Sequence, residues 1–146
     1  MLIENLTKNE ELVLIADPKI LNIPIIDCQE EMIDLKNQTE IIYGPSPEIE
    51  NNEDYTKIRQ SVYQKLCLAQ QQLPWGLKFC LYEGYRSLAL QKMLFEQRLK
   101  NVTDKFPFWS KKQIFNETIK MVSPVTNFDG SPNVPPHSTG AAIDLY

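Results

Sequence analysis

Leu77-Lys-Phe-Cys-Leu-Tyr-Glu-Gly-Tyr-Arg-Ser87 decides how this chain is read. Leu77, Phe79 and Leu81 alternate with Lys78, Cys80 and Tyr82, the period-two pattern of a strand with one apolar face. Beyond it, Leu90, Met93 and Leu94 share one side of a helix that the pattern carries over residues 87–100. Glu83-Gly-Tyr-Arg86 therefore occupies the junction where a strand hands over to a helix.

Working outward, Ile58, Val62, Leu66, Ala69 and Leu73 recur at helical spacing, and Pro74 stops the run, which predicts a helix over residues 54–73. Before it, residues 43–53 are polar and proline-containing, a loop. The apolar runs 12–16 and 20–26 are interrupted by Pro18 and Pro24, which favours short strands. A third helix begins at Ser110, where Gln113 stands at capping-box spacing. Pro124, Gly130, Pro132, Pro135 and Pro136 make residues 122–136 a long loop, and the apolar, β-branched content of 138–146 predicts a closing strand. The order predicts an α+β fold, with helices packed against a small, mainly antiparallel sheet.

With 146 residues the chain suits one domain, 1–146. Its net charge of -4 and its lack of a basic block argue against a nucleic-acid or anionic membrane partner. Nothing approaches the roughly 20 apolar residues of a membrane span, and the start, Met1 to Glu11, lacks a leader's basic and apolar regions. A cytoplasmic location is expected. Cys28, Cys67 and Cys80 are odd in number and form no C-x-x-C pair, so they are expected as reduced, small buried side chains. Trp75 and Trp109 are expected to be packing residues.

The chain's single histidine, His137, lies seven residues before Asp144. On one straight strand that odd spacing would point the two to opposite faces. Gly140 between them permits the bend that would let them meet. Asp144 stands in an apolar stretch, where a carboxylate needs a cation or hydrogen bonds to offset its desolvation. Taken singly, each has a plainer reading: His137 as a loop histidine, Asp144 as a salt-bridged edge residue, Arg86 as a surface cation.

Together the residues form a pattern. Pro136-His-Ser-Thr-Gly-Ala-Ala-Ile-Asp144 resembles the S-x-H-x-x-G-x-A-x-D signature of the D-alanyl-D-alanine dipeptidases, a branch of zinc metallopeptidases. Glu83-Gly-Tyr-Arg-Ser87 resembles that family's D-G-Y-R-P segment, and the likeness covers roughly residues 55–146. The resemblance implies that His137 and Asp144 are zinc ligands. It implies that Arg86 is a catalytic and substrate-binding arginine whose donors steady an oxyanion. Ser138 would shape the ligand loop and bind substrate. The implied reaction is hydrolysis of D-Ala-D-Ala or a related dipeptide.

Ser87 replaces the family's proline, and Pro135 replaces the serine two places before the histidine. Family members carry a further ligand and a catalytic base in a later E-x-W-H segment, whereas this sequence closes at Tyr146 with no second histidine. With two ligands rather than the usual three, the 146 residues are expected to hold zinc weakly and not to turn over. The fold would then be an incomplete one, lacking C-terminal strands. An exposed strand edge near residues 141–146 would invite self-association. The alternative reading is a catalytically inactive binding or regulatory protein that keeps the metallopeptidase fold. A third is a plain globular domain whose His-Asp spacing is chance.

Overall fold

The computed structural model describes residues 13–15 and 17–146; Leu12, Ala16 and the N-terminal stretch read for a leader lie outside the described residues. The run 20–26 is not a strand. Pro18–Leu21 is a short helix, α1, with Pro18 in its first turn and the Asp17 side chain accepting from the Lys19 N–H. Proline and an aspartate cap outweigh the strand preference of the isoleucines here, and the chain then runs on without regular structure to residue 31.

Strand β1 (Met32–Asp34) pairs antiparallel with β3 (Lys57–Arg59), setting Ile33 opposite Ile58. The helix expected from residue 54 therefore starts later, as α2 (Gln60–Gln70). Ile58 belongs to the strand, where it is fully buried. The apolar spacing cannot separate the two elements, because a buried strand residue four places before Val62 continues the helical stripe by coincidence. The strand side gains from the backbone ladder to β1 and from Thr56, whose hydroxyl donates to Asp34 Oδ1 at 2.7 Å. After Gln70 single turns carry the chain through Leu73.

The central sheet has the order β2-β4-β5. Strand β2 (Ile42–Tyr43) runs parallel to β4 (Cys80–Glu83), and β5 (Asp144–Leu145) runs antiparallel to it. The closing strand expected over 138–146 is thus two residues long, because Pro136–Thr139 forms a 3-10 turn and Gly140 ends it in the left-handed region, φ 74°. Leu35, Ile41, Ile58, Leu66 and Leu81 form the core between the sheets and α2, with Phe79, Ile143 and Leu145 packed against it.

Helix α3 (Leu88–Lys105) is longer than its apolar pattern, and Ser87 caps it by accepting from the Leu90 N–H at 3.2 Å. Serine thus serves at a helix start where the resembled segment has proline. Helix α4 (Lys111–Thr118) carries the predicted capping box between Ser110 and Gln113. Phe115 joins the two helices to the long loop, with its ring 5.5 Å from that of Phe95 and 5.3 Å from that of Phe128. Among the described residues no helix is long and apolar enough to cross a membrane. Two packing expectations fail. Trp75 is fully exposed and Cys28 is exposed, although Cys67 and Cys80 are part-buried and all three are unpaired. Trp109 does pack, stacking on Phe106 with centroids 3.9 Å apart.

Leu81 and Ser110 should separate core from cap in equilibrium unfolding by urea. Leu81→Ala is expected to cost about 2–5 kcal/mol, because its side chain is fully enclosed. Ser110→Ala should cost about 1 kcal/mol, the value of one helix cap.

Candidate metal centre

The alternation that makes β4 a strand also aims Glu83. Leu81 and Glu83 share the inward face, and both are fully buried, while Tyr82 between them is exposed. Leu81 pairs with Leu145 and Glu83 with Asp144, so two steps along β4 match one step along β5. This irregularity places Tyr82 as the extra residue of a bulge and turns Asp144 toward the same side as Glu83.

Gly84 lets the junction sink into the fold. Its N–H donates to Tyr55 O at 2.7 Å, and a Cβ there would lie 2.6 Å from Lys57 O. On the other side the junction is fastened to the 3-10 turn. Arg86 N donates to His137 O at 3.1 Å, Ser138 Oγ donates to Arg86 O at 2.8 Å, and His137 Nδ1 lies 2.8 Å from Gly84 O. Gly140 closes this turn against β1, where a Cβ would lie 2.3 Å from Met32 Cε.

These contacts decide the state of the histidine. A carbonyl oxygen only accepts, so His137 Nδ1 carries a proton and Nε2 is the atom turned to the site. Nε2 faces Asp144 Oδ2 at 3.4 Å. Two acceptor surfaces thus face each other across a gap that a cation could bridge. Ligands on a tetrahedral ion at 2.0–2.2 Å stand roughly 3.3–3.6 Å apart, which this separation matches. Donor atoms of Glu83, His137 and Asp144 all lie within 4.8 Å of one another. The three residues form a cluster that could hold a metal ion.

Arg86 compensates the buried carboxylate of Glu83 with a two-pronged ion pair, Nε to Oε1 at 2.9 Å and Nη2 to Oε2. It also donates from Nη2 to Glu48 Oε1 at 3.2 Å and from Nη1 to Gln91 Oε1 at 2.8 Å. Burial alone would lower the pKa of this guanidinium. The hydrogen bond and charge of Glu83, with Glu48 and Asp144, outweigh burial and raise the pKa above its ordinary value. These contacts use four of the five N–H groups, leaving one on Nη1.

The cluster opens on a cavity of about 570 Å³ bounded by Glu48, Arg86, His137, Asp144 and the inward stripe of α3. His137, Asp144 and Arg86, singled out in the sequence, converge here through the bend at Gly140. Ser138 does not face this cavity. Its hydroxyl is bound to Arg86 O, and the residue lines the far side of the turn with Arg59 and Tyr85. The position therefore holds the 3-10 turn to the junction. Glu83 and Glu48 enter unannounced. Two sequence signals bear on Glu83: its place one alternation beyond Leu81 on the apolar face, and its place at the acidic position of the Glu83-Gly-Tyr-Arg-Ser87 segment.

Removing Arg86 leaves Glu83 charged, buried and unpaired. Arg86→Met is expected to lower unfolding free energy by about 3–5 kcal/mol. The double variant Glu83→Leu/Arg86→Met should recover most of that loss in urea titrations, an outcome a merely space-filling arginine would not give. Compared with known protein families, with curated proteins and with solved structures, the chain has no match in any of the three.

Proposed function

We propose that Glu83, His137 and Asp144 bind one zinc ion and that the site hydrolyses a short peptide of the D-Ala-D-Ala kind. The reading is supported above all by the His137 ring, whose Nδ1–H is spent on Gly84 O so that Nε2 is presented to Asp144 at 3.4 Å. Glu83 supplies the third protein ligand that the sequence pattern lacked, and three is the number a catalytic zinc site uses. Its carboxylate offers about four lone-pair positions, of which Arg86 occupies two.

The cation, when bound, would act as a Lewis acid toward the amide carbonyl. Water adds across the bond: its hydroxyl forms the new C–O bond, the C–N bond breaks, its proton passes to the leaving nitrogen, and an acid and an amine leave. Arg86 directs its remaining Nη1–H at the oxygen that gains charge. Glu48 and Gln91 hold the guanidinium in that orientation. A second reading, a metal-tied binding protein without turnover, draws on the same residue, because Glu83, Glu48 and Gln91 already take most of the donors of Arg86.

Titration with zinc, and with cobalt as a spectroscopic reporter, tests the centre. One ion per chain is expected, with His137→Ala and Asp144→Ala each weakening binding at least about tenfold. Unchanged uptake in both variants would sink the proposal. Release of D-alanine from D-Ala-D-Ala by the zinc-loaded chain, lost in His137→Ala, supports hydrolysis. Stoichiometric metal without cleavage of any D- or L-dipeptide favours the binding protein.

A further inference from the structure

We infer that Arg98 is an anion-recognition residue that holds the free carboxylate of a peptide two to three residues long. The inference deepens the reading above and depends on it only for where the reacting end of that peptide lies.

Gln91, Leu94, Arg98 and Asn101 recur at helical spacing along α3, and all four border the cavity that the metal-binding cluster opens on. The Gln91 end of this stripe is bonded to Arg86, beside Glu83. At 1.5 Å of rise per residue, Arg98 lies about 10 Å further along the helix axis. An extended peptide covers about 3.3–3.6 Å per residue, so that span corresponds to roughly three residues. Helical side chains lean toward the N-terminus, which brings the guanidinium back toward the cluster and shortens the distance to bridge.

Arg98 differs from the chain's two other arginines. Arg59 is paired with Asp27 at 3.2 Å, and Arg86 with Glu83 and Glu48. Arg98 has no carboxylate partner among the described residues, and its Nε is shut away from water with no hydrogen-bond acceptor. Leaving a buried N–H unbonded costs about 1–3 kcal/mol, a cost that is removed when the side chain turns its guanidinium to an acceptor in the cavity it lines. The cavity is basic at this end and acidic at the other, where Glu48 and Asp144 lie. A planar guanidinium matches a carboxylate through two parallel hydrogen bonds. The polarity suits a peptide lying with its carboxylate on Arg98 and its amino-terminal side toward the acidic end.

The test uses the whole chain without added metal and two probes, N-acetyl-D-alanine and N-acetyl-D-alaninamide, followed by calorimetry or by NMR shifts of α3. The carboxylate should bind at least about tenfold more tightly than the amide. Arg98→Gln should erase that preference, and Arg98→Lys should restore part of it. Equal binding of both probes to the wild-type chain, or a preference that survives Arg98→Gln, overturns the inference. So does inorganic phosphate displacing the carboxylate at lower concentration, which would identify a phosphate site. Thermal melts of Arg98→Gln should match or exceed wild type, since the side chain holds no partner among the described residues. His137→Ala should keep the carboxylate preference, so failure of the metal centre and failure of the anion site are read separately.

Discussion

Everything around the cluster follows from burying the Glu83 carboxylate with no exposure to water. Such a group is tolerable only when charge and hydrogen bonds surround it. Arg86 provides both, and to do so it must return over the strand end within a three-residue turn. That turn fits because Gly84 allows the backbone to lie against Tyr55 and Lys57. The same turn then presents Gly84 O to His137 and the Arg86 backbone to the 3-10 turn. One compensated carboxylate thus sets the path of two chain segments far apart in sequence.

The electrostatics are divided within a small volume. Three carboxylates, those of Glu48, Glu83 and Asp144, gather near one guanidinium and one imidazole. Glu83 is inside, and Asp144 has more than half its side chain exposed, at 56%. An inner acid answered by arginine and an outer acid facing histidine leave net negative potential at the cavity mouth. The arrangement is compatible with a small cation serving the carboxylates of Glu83 and Asp144 at once.

Much of this was legible in the sequence, and the failures have identifiable causes. Leu77 to Tyr82 showed β4 and Leu90 to Leu94 showed α3, since long segments with one apolar face leave a clear period. The parity argument at His137 and Asp144 demanded a bend, and Gly140 in the left-handed region supplies it. Ile58 lies in β3 rather than α2, because a strand abutting a helix extends the helical stripe. Residues 20–26 depart from the strand their isoleucines favour, because a proline and an aspartate cap govern α1 more than side-chain preference does. The sheet is mixed, with β2 parallel to β4, which no local pattern encodes. Glu83 escaped because a charged residue at a strand end ordinarily marks solvent. Its pairing with Arg86 three residues on and the β5 register reveal it as an inner residue.

The brevity of β5 has a thermodynamic consequence. Two residues of ladder join the 136–146 segment to the sheet, and the rest of its docking is spread over single hydrogen bonds to Cys80, Gly84, Arg86 and Arg59. Any occupant that bridges Asp144 to Glu83 and His137 would cross-link that segment to the strand core. By mass action it would raise the segment's stability with every increase in its concentration above the dissociation constant. In such a molecule, order at the chain's end becomes a readout of what fills the centre.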